Sequence, residues 1–188
     1  MSAFHAMPGP YRLTFADWLA FPDENKLYEI LHGEVVVSPP PSIRHQMITW
    51  NLERFFDGQV VRAGLGVVLH APVGVKLTDE DVLEPDIVLV LSEHRGRIGE
   101  QAILGAPDLV VEILSRGTAG RDLGPKRVIY AAAGVPEYWI VDPESTSVEV
   151  LVLEGGGYTR VALLRKTDVL RSPLLPGFEV PLRDVFPD

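Results

Sequence analysis

Pro107-Asp108-Leu109-Val110-Val111-Glu112-Ile113-Leu114 is a short apolar run, entered through Pro-Asp and broken from within by one acid. Its β-branched content and its length predict a buried strand. An ionised glutamate inside such a strand loses its hydration, so a metal ion, a cation or a water-filled cleft must compensate it. Strand period sets Asp108, Val110, Glu112 and Leu114 on one face. Upstream, Glu84-Pro85-Asp86 leads into a second run of this kind, Ile87-Val88-Leu89-Val90-Leu91. Two carboxylates carried into one cleft by adjacent strands can hold Mg²⁺ or Mn²⁺, which take oxygen ligands and keep several waters. Lys126 lies one loop after the Glu112 strand, in the first turn of the next predicted helix. There it can orient a water or neutralise phosphate charge.

Plainer readings stand beside these. Glu112 can be half of a buried salt bridge to an arginine. Pro-Asp is a common strand-entry device, for Asp86 and Asp108 alike. Asp122 and Lys126 are spaced i,i+4, the pattern of a solvated pair on a helix start. Tyr130 and Trp139 sit at core spacing.

Outward from this centre the elements read clearly. Thr14 caps a short helix from Phe15 to Ala20. Residues 27–31 and 34–37 form a hairpin turning at His32-Gly33, closed by Pro39-Pro40-Pro41. Ser42 opens the longest helix, running to about Ala63 with Ile48, Leu52, Phe55, Phe56 and Val60 on its apolar face. Strands are expected at 67–70, 73–77, 86–91, 109–114 and 138–141. Another pair, 148–153 and 158–164, turns at Gly155-Gly156-Gly157. A second helix runs from Pro125 to Ala133, with Gly134 just past its end. Residues 1–11 read as a loose lead-in and 12–188 as one domain; the tail from Ser172 is Pro-rich and expected to wrap the surface. The fold class is α/β (α+β): two main helices around a mixed sheet of seven or eight strands.

Composition narrows the function. The chain has 188 residues, 46% hydrophobic, with no cysteine, so disulfide scaffolds, thiolate zinc sites and cysteine nucleophiles are excluded. Its net charge of −9 argues against broad, sequence-blind binding to DNA or anionic membranes. No apolar run approaches the ~20 residues of a membrane span. The start shows no signal-peptide pattern, which places the protein in the cytoplasm. No Gly-x-Ser-x-Gly elbow is present. Aromatic content of 8% is thin for the sugar platforms of a glycosidase.

Several blocks resemble a known family. They are Tyr28-Glu29-Ile30-Leu31-His32-Gly33-Glu34, His45 after the prolines, Glu84-Pro85-Asp86, the 107–115 run, Arg121-Asp122-Leu123-Gly124-Pro125-Lys126 with Tyr130, and Tyr138-Trp139-Ile140-Val141-Asp142-Pro143. Over roughly residues 12–185 the chain resembles the Uma-type restriction endonucleases, of the PD-(D/E)xK nuclease superfamily. The resemblance implies a restriction-endonuclease-like mixed sheet flanked by helices, with an N-terminal hairpin. It implies Mg²⁺ (or Mn²⁺) on Asp86 and Glu112, and Lys126 assisting phosphodiester hydrolysis in DNA. Leu114 stands where the parent motif has its lysine, and family members of this type supply it from the next helix. Asp108 is the alternative to Asp86 as the metal-ligand aspartate, because it shares strand parity with Glu112. Glu29 and Glu34 flank the hairpin turn where the family tends to carry acids. His45 is a candidate for the phosphate or leaving group. Arg116, Arg121 and Arg127 are the candidate phosphate-binding patch. Nucleases that cut both strands are often dimers, and the 148–164 hairpin offers edges for a homodimer. The competing reading is a catalytically inactive domain of this fold, serving as a dimeric binding or scaffold module.

Overall fold

The computed structural model describes residues 11–22, 26–115 and 119–187. The lead-in up to residue 10 lies outside them. Helix α1 (Phe15–Trp18) begins where the Asp17 carboxylate accepts the Thr14 backbone N–H at 2.8 Å. Strands β1 (Leu27–Leu31) and β2 (Glu34–Ser38) form the expected hairpin. His32 and Gly33 carry its turn with φ of 50° and 78°, the left-handed geometry that matches strand twist. Helix α2 (Ile43–Phe56) is capped by Ser42, whose Oγ accepts the His45 N–H at 3.2 Å. It continues as a π-helical turn, Asp57–Val61, so the helical rod fills most of the expected span.

The middle of the chain supplies β3 (Gly66–His70), β4 (Gly74–Lys76), β5 (Val82–Leu83), β6 (Ile87–Leu91), β7 (Ala102–Leu104) and β8 (Leu109–Ile113). Helices α3 (Ala119–Asp122) and α4 (Pro125–Ala133) then cross over to β9 (Glu137–Asp142), which lies parallel to β8. Gly134 closes α4 at φ 85°. Strands β10 (Ser147–Glu154) and β11 (Gly157–Arg165) form the second hairpin, and β12 (Val169–Arg171) pairs with β13 (Glu179–Pro181).

The fold class stands as expected, mixed sheets flanked by helices, but the strands divide differently. A six-stranded sheet runs β11-β10-β9-β8-β6-β3, and a five-stranded one runs β2-β1-β5-β4-β7. The larger sheet is buried on both faces, which is why β6, β8 and β9 are nearly unbroken apolar runs. On one face Ile48, Leu52 and Phe56 of α2 pack on Leu89, Val111 and Trp139. On the other, Ile129 and Tyr130 of α4, together with the small sheet, pack on Val88, Val110 and Tyr138. The tail departs from expectation. Leu175, Phe178, Val180, Leu182, Val185 and Phe186 are buried and complete the α2 layer. Gly177, at φ 85°, turns this segment back toward β13, and its apolar residues pack inward instead of running over the surface. No described helix is long and apolar enough to cross a membrane.

Candidate active site

Antiparallel pairing of β6 and β8 sets Ile87 opposite Val111. One further step of the same register brings Asp86, just before β6, across from Glu112 near the end of β8. The Ile113 N–H donates to Asp86 Oδ2 at 2.7 Å, which locks the aspartate against the strand. His45, in the first turn of α2, holds the same oxygen through Nε2 at 3.2 Å. Burial alone would lower the imidazolium pKa, but the Asp86 carboxylate outweighs it and His45 is raised.

Glu112 is 3% exposed and faces α4. Its Oε1 accepts from Lys126 Nζ at 3.0 Å and from the Tyr130 hydroxyl at 2.8 Å. Burial drives its pKa well above the ordinary carboxylate value, despite Lys126. Lys126 is equally buried, and its ammonium lies 2.8 Å from Glu29, 3.0 Å from Glu112 and 3.3 Å from Asp122. It hydrogen-bonds Glu29 and Glu112, and pairs with Asp122 by charge alone. Burial opposes the charge, yet Glu112, Glu29 and Asp122 together hold the lysine pKa well above its usual value.

These residues line a cleft of about 190 Å³ walled by β1, the Pro39-Pro40-Pro41 turn and the start of α2. Five carboxylates border it (Glu29, Glu84, Asp86, Glu112 and Asp122) against one lysine and one histidine. Carboxylate oxygens in excess are the donor set of a hard divalent cation. Among the described residues no group of three or more His, Asp or Glu converges in metal-binding geometry.

Asp86, Glu112, Lys126, His45, Glu29 and Asp122 all come together. Glu29 is buried, not solvated, and Asp122 is an i,i+4 partner of Lys126 inside the protein. Arg121 reaches the rim, where Nη2 donates to Ser38 Oγ at 3.1 Å. Three of the expected residues lie away from the cleft. Asp108 shares the face of Glu112 but sits four residues along the strand, ~13 Å away at strand rise. Its carboxylate instead accepts the Leu91 N–H at 2.7 Å and lies 2.6 Å from His94 Nδ1, stapling the turn after β6. Glu34 is exposed at the hairpin turn and does not line the cleft. Arg127 sits one residue past Lys126, ~100° around the helix, and donates to the Tyr158 carbonyl at 2.9 Å. Arg116 lies outside the described residues.

Two site residues escaped the sequence reading. Glu84 is 8% exposed, and burial followed by the neighbouring Glu29 pushes its pKa up to about 7. Its signal was parity with Asp86 two residues on. Tyr130, taken as core, is core by its ring and site by its hydroxyl; its signal was the i+4 spacing from Lys126.

A family model described as "Putative restriction endonuclease" (Uma2) matches residues 14–183. Among solved structures, the chain is similar to "a putative nuclease belonging to DUF820 from Anabaena variabilis ATCC 29413". Identity is 17%, the TM-score 0.77, and the alignment covers 93% of this chain and 97% of that one. Identity at that level carries the fold and nothing finer. No curated protein matches.

Proposed function

The chain belongs to the Uma2 family, and from that premise we propose a Mg²⁺-dependent (or Mn²⁺-dependent) endonuclease that hydrolyses phosphodiester bonds in DNA. The observation that carries the reading is the buried Glu112, set across from Asp86 and 3.0 Å from Lys126 Nζ. Asp86 and Glu112 would hold the ion; bound there, it acidifies water and neutralises phosphate charge. The protein's own groups do the rest. Lys126 presents its ammonium to the attacking water or the phosphate. His45 and the Ile113 N–H fix the Asp86 carboxylate, and Tyr130 fixes that of Glu112. Arg121 supplies positive charge at the rim. Both strands of a duplex would be cut by a homodimer. The edge strand β11, with Val161 and Leu163 exposed, offers the pairing surface.

One observation favours a second reading, a binding or scaffold module without catalysis. The Lys126 ammonium is already within ion-pair distance of three buried carboxylates, which makes a closed ion cluster. Calorimetric titration of Mn²⁺ and plasmid nicking in Mg²⁺ separate the two, on wild type and Glu112→Gln with matching circular dichroism. A nuclease binds the ion and nicks, and loses both in the variant by ~100-fold or more, the scale of a lost transition-state contact. Wild type that neither binds nor nicks leaves the scaffold reading.

A further inference from the structure

A larger cavity adjoins the cleft, about 740 Å³ in volume, within the range of small-molecule pockets, ~300–1,000 Å³. Its walls are mainly apolar, with Lys26, Gln46, Glu84 and Gln101 as the polar members. Trp18, Phe21 and Tyr28 contribute partly exposed rings. These rings are held in place. Trp18 Nε1 donates to the Tyr28 carbonyl at 2.6 Å, and its indole lies against Gly74, where any Cβ would collide with it. Phe21 and Tyr28 pack on each other at 5.2 Å. Pro40, Pro41 and Glu84 line both the cavity and the cleft, so the two spaces adjoin. At that junction Glu84 Oε2 is buried with no hydrogen-bond partner. A buried, unpaired acceptor is costly unless a ligand pairs it.

We propose that this cavity receives one unpaired nucleobase of the nucleic acid whose phosphate enters the cleft, stacked on its aromatic wall with Glu84 Oε2 accepting from the exocyclic amine. The assignment rests on the endonuclease reading above and deepens it. The phosphodiester chain places a base beside each phosphate. Every base has a face to stack on an aromatic ring. Cytosine, adenine and guanine carry an exocyclic amine that a carboxylate can recognise, and thymine carries none. The substrate is therefore single-stranded DNA, or a duplex from which one base is extruded.

The test is fluorescence anisotropy of end-labelled single-stranded dC and dT tetramers in EDTA, so that no cleavage occurs. Wild type should bind dC more tightly than dT. Phe21→Leu keeps apolar volume but removes the stacking face, and should weaken both by about fivefold or more. Glu84→Met should remove the preference for dC. Equal affinity for the two tetramers, or variants that bind as wild type does, would overturn the proposal. Plasmid nicking on the same samples separates the two readings. Nicking without tetramer binding removes the base pocket and leaves the endonuclease. Tetramer binding with these preferences but no nicking leaves the pocket and removes the endonuclease.

Discussion

Lys126 is one cation inside a ring of acids, and its removal is more informative than that of any one carboxylate. Truncating one partner of a buried ion cluster strands the remaining charges, at about 3–5 kcal/mol. Lys126→Met should lose about that much in urea unfolding near neutral pH, because Glu29, Glu112 and Asp122 keep their burial without their counter-charge. Glu112, already raised by burial, then lacks the lysine that held its pKa down, so acidification protonates it and should restore part of the loss. A variant as stable as wild type at neutral pH would mean that the cluster does not depend on the lysine. At this scale the sequence was legible wherever period could be applied. Glu112 stood out as an acid in an apolar strand, and Lys126 followed by its place on the next helix. Period failed where position along the strand mattered: Asp108 has the right parity and the wrong end.

The elements most readable in the sequence were those with local punctuation. His32-Gly33 turns the first hairpin, Ser42 caps α2, and Pro125 and Gly134 bracket α4. Those missed were β5, β7, β12 and β13, each two or three residues long. So short a strand has no period to detect, and tertiary pairing alone defines it. The tail shows the consequence. Glu137 in β9 accepts from Trp139 Nε1, Ser172 Oγ and the Leu174 N–H, which anchors the segment as it leaves β12. Phe178 then stacks on Phe56 at 5.0 Å and lies 6.0 Å from Trp139. Phe178→Ala should therefore cost about 3–5 kcal/mol, the range for emptying an aromatic site in a core. The check is chemical unfolding followed by the fluorescence of Trp139 among the other tryptophans. A loss below about 1 kcal/mol would return the tail to the surface role its composition suggests.

For the whole molecule, three buried glutamates are placed so that folding takes up protons. Burial raises Glu84 from 4.5 to about 7, and it raises Glu112 and Glu137 as well. A raised acid contributes stability that is complete below its unfolded pKa and lost as pH climbs through its folded one. His45, raised by Asp86, works in the same direction: its contribution is present below 6.5 and lost above its folded value. The net charge of −9 adds self-repulsion as the acids ionise. Stability should therefore fall between about pH 5 and pH 8, with Glu84 alone accounting for up to about 3 kcal/mol. On the proposed endonuclease reading, a divalent ion on Asp86 and Glu112 would supply the positive charge that protons supply at lower pH. Mg²⁺ should raise the melting temperature at about pH 8 and change it little at about pH 5, where protons compete for the same oxygens. Glu112→Gln should reduce the pH slope by its own share and abolish the Mg²⁺ response, since Glu112 contributes to both. Thermal unfolding at the two pH values, with and without Mg²⁺, reads all of this. A melting temperature that climbs steadily from pH 5 to pH 8 and ignores Mg²⁺ would sink the account: the buried acids would then be ionised and fully paired, leaving the cleft no vacancy for a metal ion.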